Sequence, residues 1–254
     1  MKIDLNCDMG ESFGPYTMGR DQEVLPYVTS VNLACGFHGG DPMVMAKTVK
    51  LAKKAKVNIG AHPGYHDLQG FGRRKITMAP DEVTALILYQ LGALDGFLRR
   101  EGERITHVKP HGALYNQAAV DAKLAWAVAR AVRDFDDRAI LVGLFGSALI
   151  KEGKRAGLDV AREAFLDRHY QKDGTLVPRS QPGAVLEDPE QAAARAVKMV
   201  GEGKVVSYEG QDLPLSCDTI CIHGDTPQAV QMAKRVFQTL LKNDIRVRPM
   251  RANG

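Results

Sequence analysis

The segment HVKPHGALYN, residues 107–116, changes character halfway along its length. Up to Lys109 it continues an apolar run that predicts a buried strand, whereas the residues after Pro110 have helical character. A lysine and two histidines at such a junction suit neither a buried strand nor an ordinary solvated turn, where Asn, Ser or Asp is more usual. The segment therefore predicts a strand, then a loop that carries chemistry, then a helix.

The same order of strand, polar loop and helix recurs along the chain. Seven short apolar runs predict strands at residues 2–6, 28–33, 57–61, 105–109, 140–143, 158–161 and 219–223. The clearest helix start is Asp41-Pro42, where a capping side chain precedes a proline at the first helical position. Strands that alternate with helices indicate a parallel sheet with crossover helices.

Two parallel α/β architectures fit this order. A doubly wound sheet places its chemistry at one switch point, whereas a (β/α) barrel gathers side chains from the carboxyl ends of many strands. Polar, glycine-containing loops follow nearly every predicted strand, which favours the barrel. We therefore predict an irregular (β/α) barrel of seven strands, with all 254 residues in a single domain and a small hairpin inserted near residues 204–216.

Composition and missing motifs exclude several classes of protein. The net charge is only +4, and no aromatic residues are interleaved with basic ones, so nucleic acid is not an expected partner. The sequence has no signal-peptide stretch and no apolar run long enough to cross a membrane, which predicts a cytoplasmic protein. It also lacks Gly-x-x-x-x-Gly-Lys-[Ser/Thr] and His-Glu-x-x-His. Any ATP must therefore be held in another way or by another chain.

Histidines and acidic residues cluster in the predicted strand-end loops. Five of the seven histidines have this position, namely His38, His62, His66, His111 and His223. Asp41 and Asp225 precede helices and are best interpreted as caps, whereas Asp8 and Glu163 cap nothing evident and are candidates for a general base. Asp8, His62 and His111 are a candidate metal set, although ligands from separate loops have no diagnostic spacing.

Basic residues in the same loops suggest an anionic ligand. Lys109 shares its parity along the strand with His107 and His111, and burying a lysine requires an anion or carboxylate partner. A structural ion pair is the alternative interpretation. Arg73, Arg168 and Arg179 lie in loops where their forked donors suit carboxylate or phosphate.

Six sequence blocks together resemble the LamB/YcsF family, the family of the A subunit of bacterial 5-oxoprolinase. The blocks are NCDMGE (6–11), ACGFHGGDP (34–42), GAHPGY (60–65), VKPHGALYN (108–116), EAFLDR (163–168) and CIHGD (221–225), and they occur in the family's order. The resemblance implies an irregular barrel related to the glycoside hydrolase/deacetylase superfamily. It also implies ATP-dependent opening of 5-oxo-L-proline to L-glutamate, with Mg²⁺ accompanying the ATP and with partner subunits B and C.

Opening an unactivated lactam needs a base for water, cations for a phosphoryl group and the substrate carboxylate, and donors for an oxyanion. Under the resemblance, Asp8 or Glu163 would be the base, Lys109 would stabilise negative charge, and His111 would act with His62 on a divalent metal or on the lactam oxygen. Substrate contacts are expected from His38, Arg73, Arg168, Arg179 and His223. We expect alanine at Lys109 or His111 to abolish turnover and to leave the thermal transition nearly unchanged.

Two other functions remain open from the sequence. The first is a metal-dependent deacetylase of an N-acetylated sugar or amide, with Asp8, His62 and His111 around one divalent ion that activates water without ATP. The second is a non-catalytic subunit that binds the substrate while its partners carry the chemistry.

Overall fold

The computed structural model describes residues 1–222 and 228–250. Within these residues, seven parallel strands close into a barrel because the last of them pairs with both its predecessor and the first strand. These strands are β1 (Lys2–Met9), β2 (Ser30–Ala34), β3 (Asn58–His62), β4 (His107–Val108), β5 (Ile140–Leu144), β6 (Val160–Phe165) and β9 (Thr219–Cys221). The predicted irregular (β/α) barrel of seven strands is confirmed.

Helices surround this barrel. They are α1 (Asp21–Val24), α2 (Pro42–Ala55), α3 (Pro80–Glu101), α4 (Gly112–Val120), α5 (Ala122–Phe135), α6 (Ala148–Arg155), α7 (Pro189–Gly201) and α8 (Ala229–Lys242). The Asp41 carboxylate accepts hydrogen bonds from the backbone N–H groups of Met43 and Val44, so its predicted role as a cap of α2 is confirmed. Asp225, the other predicted cap, lies outside the described residues.

In the part of the chain that the structure describes, three short strands lie outside the closed barrel. β7 (Lys204–Val206) and β8 (Asp212–Pro214) form an antiparallel ribbon in the stretch where the sequence predicts a hairpin. β10 (Arg246–Val247) pairs in parallel with the first two residues of β1. Over the residues that the structure describes, no helix is long and apolar enough to cross a membrane.

The part of the barrel interior that β1 faces is polar. Asp4, Asn6 and Asp8 alternate along β1 and form hydrogen bonds with residues of other strands, whereas the residues between them belong to the apolar core. Side chains of a strand point alternately to its two faces, so one face of β1 packs under the helices while the other lines the interior. Barrels are more often filled by layers of Val, Ile and Leu. Polar side chains therefore run the length of this barrel towards the site.

At the lower level of the interior, the Asp4 carboxylate accepts hydrogen bonds from the hydroxyls of Ser30 at 2.6 Å and Thr219 at 2.5 Å. Burial raises the pKa of Asp4 to about 6 despite these bonds. Met250 packs nearby against Ile140 at the start of β5, so the end of the described chain covers the amino-terminal side of the barrel. The middle level holds Asn6, whose amide donates to Glu163 Oε1 at 3.0 Å.

Candidate active site

A cavity of about 550 Å³ opens at the carboxyl ends of the barrel strands. Seven of the predicted site residues line it: Asp8, His62, Arg73, Lys109, His111, Arg168 and Arg179. They come from loops that are far apart in sequence, and only closure of the barrel makes them neighbours. The volume is typical of a small-molecule site.

Lys109 lies at the floor of the cavity and is almost completely buried, with 2% of its surface exposed. Its ammonium lies 2.9 Å from Glu163 Oε1, 3.0 Å from Asp8 Oδ1 and 3.1 Å from Cys221 Sγ. Burial on its own would lower the pKa of Lys109, but the attraction of Asp8 and its other neighbours outweighs that effect and holds the pKa well above its usual value. The floor therefore carries a permanent positive charge between two carboxylates.

The two candidate bases have different surroundings. Glu163 is fully buried and accepts hydrogen bonds from Tyr115 Oη at 2.7 Å and Asn6 Nδ2 at 3.0 Å, in addition to its contact with Lys109. It is not among the described residues that line the cavity. Asp8 does line the cavity and is 9% exposed. Glu163 therefore acts as the buried counter-ion of Lys109, and of the two carboxylates Asp8 is the one that a molecule in the cavity can reach.

Backbone carbonyls fix the tautomers of His62 and His111. His62 Nδ1 lies 2.7 Å from the carbonyl oxygen of Lys109, and His111 Nε2 lies 2.8 Å from that of Phe71. Because a carbonyl can only accept, each of these ring nitrogens must donate. When both rings are neutral, the lone pairs lie on His62 Nε2 and His111 Nδ1, which face each other at 3.0 Å.

Glu11 is a member of the site to which sequence reasoning gave no role. Its Oε1 lies 3.5 Å from His111 Nδ1 and 3.2 Å from His38 Nε2. Glu11, His38, His62 and His111 place ligand atoms within 4.8 Å of one another, an arrangement that could hold a metal ion. The signal that could have indicated Glu11 is Gly10, which directly follows β1 and has a left-handed φ of +70°, so the chain turns there.

His38 lies behind this group. Its ring is fully buried and stacks on the ring of His111, with centroids 3.6 Å apart and an angle of 2° between the planes. It is not among the described residues that line the cavity, so it supports His111 and Glu11 instead of facing a bound molecule. The His223 side chain, predicted to contact substrate, lies outside the described residues.

The predicted arginines form a positive wall of the cavity. Arg168 is 6% exposed and donates from Nη2 to the carbonyl of Val177 at 2.5 Å, while its Nε has no hydrogen-bond partner among the described residues. Burial, together with the nearby charges of Arg179 and Arg73, lowers the pKa of Arg168 to about 10. Cations brought together at this cost suit an anionic ligand with forked acceptors.

The model of the LamB/YcsF family matches residues 3–254. The chain belongs to the LamB/YcsF family. The resemblance carried by the six sequence blocks is thereby confirmed, and the loops that contain them include those that form the cavity.

Relatives of this LamB/YcsF chain match it over nearly its whole length. A protein of Symbiobacterium thermophilum, named as the A subunit of 5-oxoprolinase, is 57% identical, covering 94% of this chain and 92% of that protein. The protein of the same name from Bacillus subtilis is 55% identical, covering 97% and 96%. A crystal structure of a lactam utilization protein from Thermus thermophilus superposes with a TM-score of 0.93 at 49% identity, covering 98% and 100%.

A more distant structure bears on the fold alone. The peptidoglycan deacetylase PdaC from Bacillus subtilis has a TM-score of 0.50 at 12% identity, covering 98% of this chain and 87% of that one. The fold of this chain is therefore similar to that of a deacetylase barrel, as the resemblance implied.

Proposed function

We propose that this chain is the A subunit of an ATP-dependent 5-oxoprolinase, which opens 5-oxo-L-proline to L-glutamate together with subunits B and C. The observation that carries the proposal is the cavity in which Lys109, Asp8 and the arginines meet, since it joins a buried cation, a reachable carboxylate and an anion-binding wall. The names of relatives that share more than half of this sequence support it. Because ATP is a co-substrate, we place the enzyme in the cytoplasm.

The proposed reaction has three steps, which are phosphoryl transfer, ring opening and hydrolysis of an acyl phosphate. Transfer of a phosphoryl group from ATP to the lactam oxygen makes the ring carbon electrophilic. Water then forms a bond to this carbon, the C–N bond breaks and the ring nitrogen takes up a proton, which leaves an acyl phosphate. A second water releases phosphate from it as the carboxylate of glutamate forms. One ATP and two waters thus give glutamate, ADP and phosphate.

Asp8 is our choice for the base that takes the proton of the attacking water, because it is the carboxylate at the cavity surface. Its neighbour Lys109 stabilises the negative charge that develops on the oxygen of the substrate. His111 also lines the cavity, and with its Nε2–H donated to Phe71 it would polarise the same oxygen only through a cation bound at Nδ1.

Arg73, Arg168 and Arg179 bind the carboxylate of 5-oxoproline or the transferred phosphoryl group, with Mg²⁺ as the counter-ion of ATP. The sequence has no phosphate-binding loop of the Gly-x-x-x-x-Gly-Lys-[Ser/Thr] type. We therefore assign the nucleotide itself to one of the partner subunits, with the phosphoryl acceptor in this cavity.

The test is glutamate release from 5-oxoproline and ATP, with this chain added to or omitted from subunits B and C. We expect turnover only in the complete mixture. Asp8→Asn should lower kcat by at least about 100-fold, whereas Asp81→Asn, at an exposed residue on α3, should leave it unchanged. An undiminished rate without this chain would refute the proposal.

Two other outcomes would replace the proposal with an alternative. Release of acetate from N-acetylated substrates in the absence of ATP would identify a deacetylase. Binding of 5-oxoproline combined with full turnover in Asp8→Asn would identify a subunit that only holds the substrate.

A further inference from the structure

We propose that Glu11, His62 and His111 form a binding site for one divalent transition-metal ion, such as Zn²⁺ or Co²⁺, with His38 as its outer support. The proposal goes beyond the lactam reaction and does not depend on it. It also revises the metal set expected from the sequence, because Glu11 takes the place that was predicted for Asp8.

The first argument is the meeting of two lone pairs. His62 Nε2 and His111 Nδ1 lie 3.0 Å apart, and in the neutral rings neither atom carries a proton, because each ring donates its single N–H to a backbone carbonyl. Two acceptors at this separation repel each other unless a cation lies between them. Both side chains are buried, so bulk water offers little screening of this repulsion.

The second argument is geometric. Metal–nitrogen bonds of about 2.0–2.1 Å place two neighbouring ligand atoms roughly 2.9–3.4 Å apart, depending on whether the ion is octahedral or tetrahedral. The distance of 3.0 Å between the two ring nitrogens falls in this range. Glu11 Oε1, 3.5 Å from His111 Nδ1, is close to its upper end and supplies a negative charge.

The third argument is the support around these atoms. Metal-binding histidines usually donate their second ring nitrogen to a carbonyl or carboxylate, as His62 donates to Lys109 and His111 to Phe71. His38 Nε2 lies 3.2 Å from Glu11 Oε1 and holds the carboxylate in place. These hydrogen bonds orient the three proposed ligands by contacts within the protein alone.

The chemistry of the donors selects the class of ion. Two imidazoles and one carboxylate favour Zn²⁺, Co²⁺, Ni²⁺ or Fe²⁺ over Mg²⁺ and Ca²⁺, which prefer oxygen ligands. Three protein ligands also leave a position open, as in catalytic metal sites. When bound, such an ion would supply a Lewis acid to a carbonyl oxygen in the cavity, which His62, His111 and Glu11 all line.

Asp8 is not one of the proposed metal ligands, because its carboxylate already has other partners. Its Oδ1 accepts from Asn32 Nδ2 at 2.8 Å and pairs with the ammonium of Lys109 at 3.0 Å. A metal ion beside it would compete with that ammonium for the same carboxylate. Asp8 Oδ2 nevertheless lies only 3.3 Å from His62 Nε2, so it borders the site that we propose.

The test measures metal binding, not activity. The chain is freed of metal with a chelator and titrated with Co²⁺ and Zn²⁺, using calorimetry for both ions and visible absorption for Co²⁺. We expect one equivalent to bind to the wild-type chain with micromolar or tighter affinity. Glu11→Gln should weaken binding at least about tenfold, and the exposed His66→Gln should bind as the wild type does.

Glu11→Gln keeps an acceptor for His38, and its circular dichroism and thermal transition verify that it has folded. Failure of the wild-type chain to bind either ion would overturn the proposal, as would equal binding by wild type and Glu11→Gln. Nitrogen NMR shifts showing one shared proton between His62 and His111 in the presence of excess Zn²⁺ would also overturn it. None of these results bears on glutamate formation, so the two proposals fail independently.

Discussion

Replacing Lys109 by methionine tests whether the floor of the cavity is an ion-pair centre. Methionine approximates the length of the side chain and removes the charge, which leaves Asp8 and Glu163 buried side by side without their cation. Removing one partner of a buried pair costs about 3–5 kcal/mol. For a chain of this size each kcal/mol lowers Tm by about 2–4 °C, so we expect a loss of roughly 6–20 °C.

Thermal and urea unfolding of the isolated chain at neutral pH measure this loss. The matched control is Lys53→Met, since Lys53 is 43% exposed and its carboxylate partner, Glu101, lies 3.7 Å away. Surface pairs contribute about 0–1 kcal/mol, so the control should barely change Tm. The Glu163→Gln change in the Lys109→Met background should restore part of the lost stability because one unpaired charge is then removed.

A Lys109→Met variant that unfolds within about 2 °C of the wild type would refute this reasoning. Such a result would also reinstate the expectation from sequence that substitution at Lys109 leaves the thermal transition nearly unchanged. The burial of Lys109 between two carboxylates is the reason we revise that expectation. Loss of turnover in the variant remains expected.

Three further predictions concern Asp4 in the barrel interior, two glycines, and Arg168 in the cavity wall. Folding raises the pKa of Asp4 from 3.8 to about 6, so its favourable contribution is complete below pH 3.8 and is lost as the pH rises through about 6. The difference in free energy of unfolding between wild type and Asp4→Asn should therefore fall by about 2–2.5 kcal/mol from about pH 4 to about pH 7, and a constant difference would contradict this. Gly60→Ala should destabilise the chain by about 1–3 kcal/mol because the new Cβ would lie 2.2 Å from His107 Nε2. Gly92→Ala, on the exposed side of α3 with open space around it, should stabilise by about 0.5–1 kcal/mol, and urea unfolding that gives both variants the same sign would contradict the comparison. In the reconstituted enzyme, Arg168→Gln should raise KM for 5-oxoproline or ATP by roughly 10- to 100-fold, whereas unchanged values would remove Arg168 from ligand binding.

The barrel fold can be predicted from the sequence because polar loops recur after the strands. The polar side chains inside the barrel could not be predicted in this way. The sequence predicts that the first strand ends at Asn6, whereas β1 continues to Met9. Asn6 and Asp8 resemble the start of a loop when apolar content defines a strand. In this barrel they are interior strand residues, bonded to Glu163 and Asn32.

The site can be predicted where residues of unusual chemistry lie in loops, and it is missed where the signal is tertiary. Lys109 and His111 stand out because such residues are costly at a strand end. Glu11 looks like one acidic residue among several, because its distance from His111 depends on how two loops pack. The separate roles of Asp8 and Glu163 likewise depend on burial, which differs between strand-end residues that look alike in sequence.

The segment at residues 107–116 shows why the fourth strand is so short. The β4 ladder contains only His107 and Val108, yet the backbone N–H groups of Lys109 and His111 continue to donate to the β3 side, at 3.0 Å to Ala61 and 2.8 Å to Pro63. Pro110 between them has no N–H to donate, so regular pairing stops while the register holds.

Because the ladder is interrupted at Pro110, Lys109 can contact Asp8 with its side chain and His62 with its backbone. The ammonium of Lys109 pairs with Asp8, while its carbonyl oxygen, left out of the ladder, accepts from His62 Nδ1 and fixes the tautomer of that ring. His111 then emerges one residue after the proline with its lone pair opposite His62. The geometry of the imidazole pair is thus set by the backbone of the same residue whose side chain carries the buried charge. It follows that a side-chain substitution at Lys109 should alter the charge of the site and leave the His62 tautomer in place.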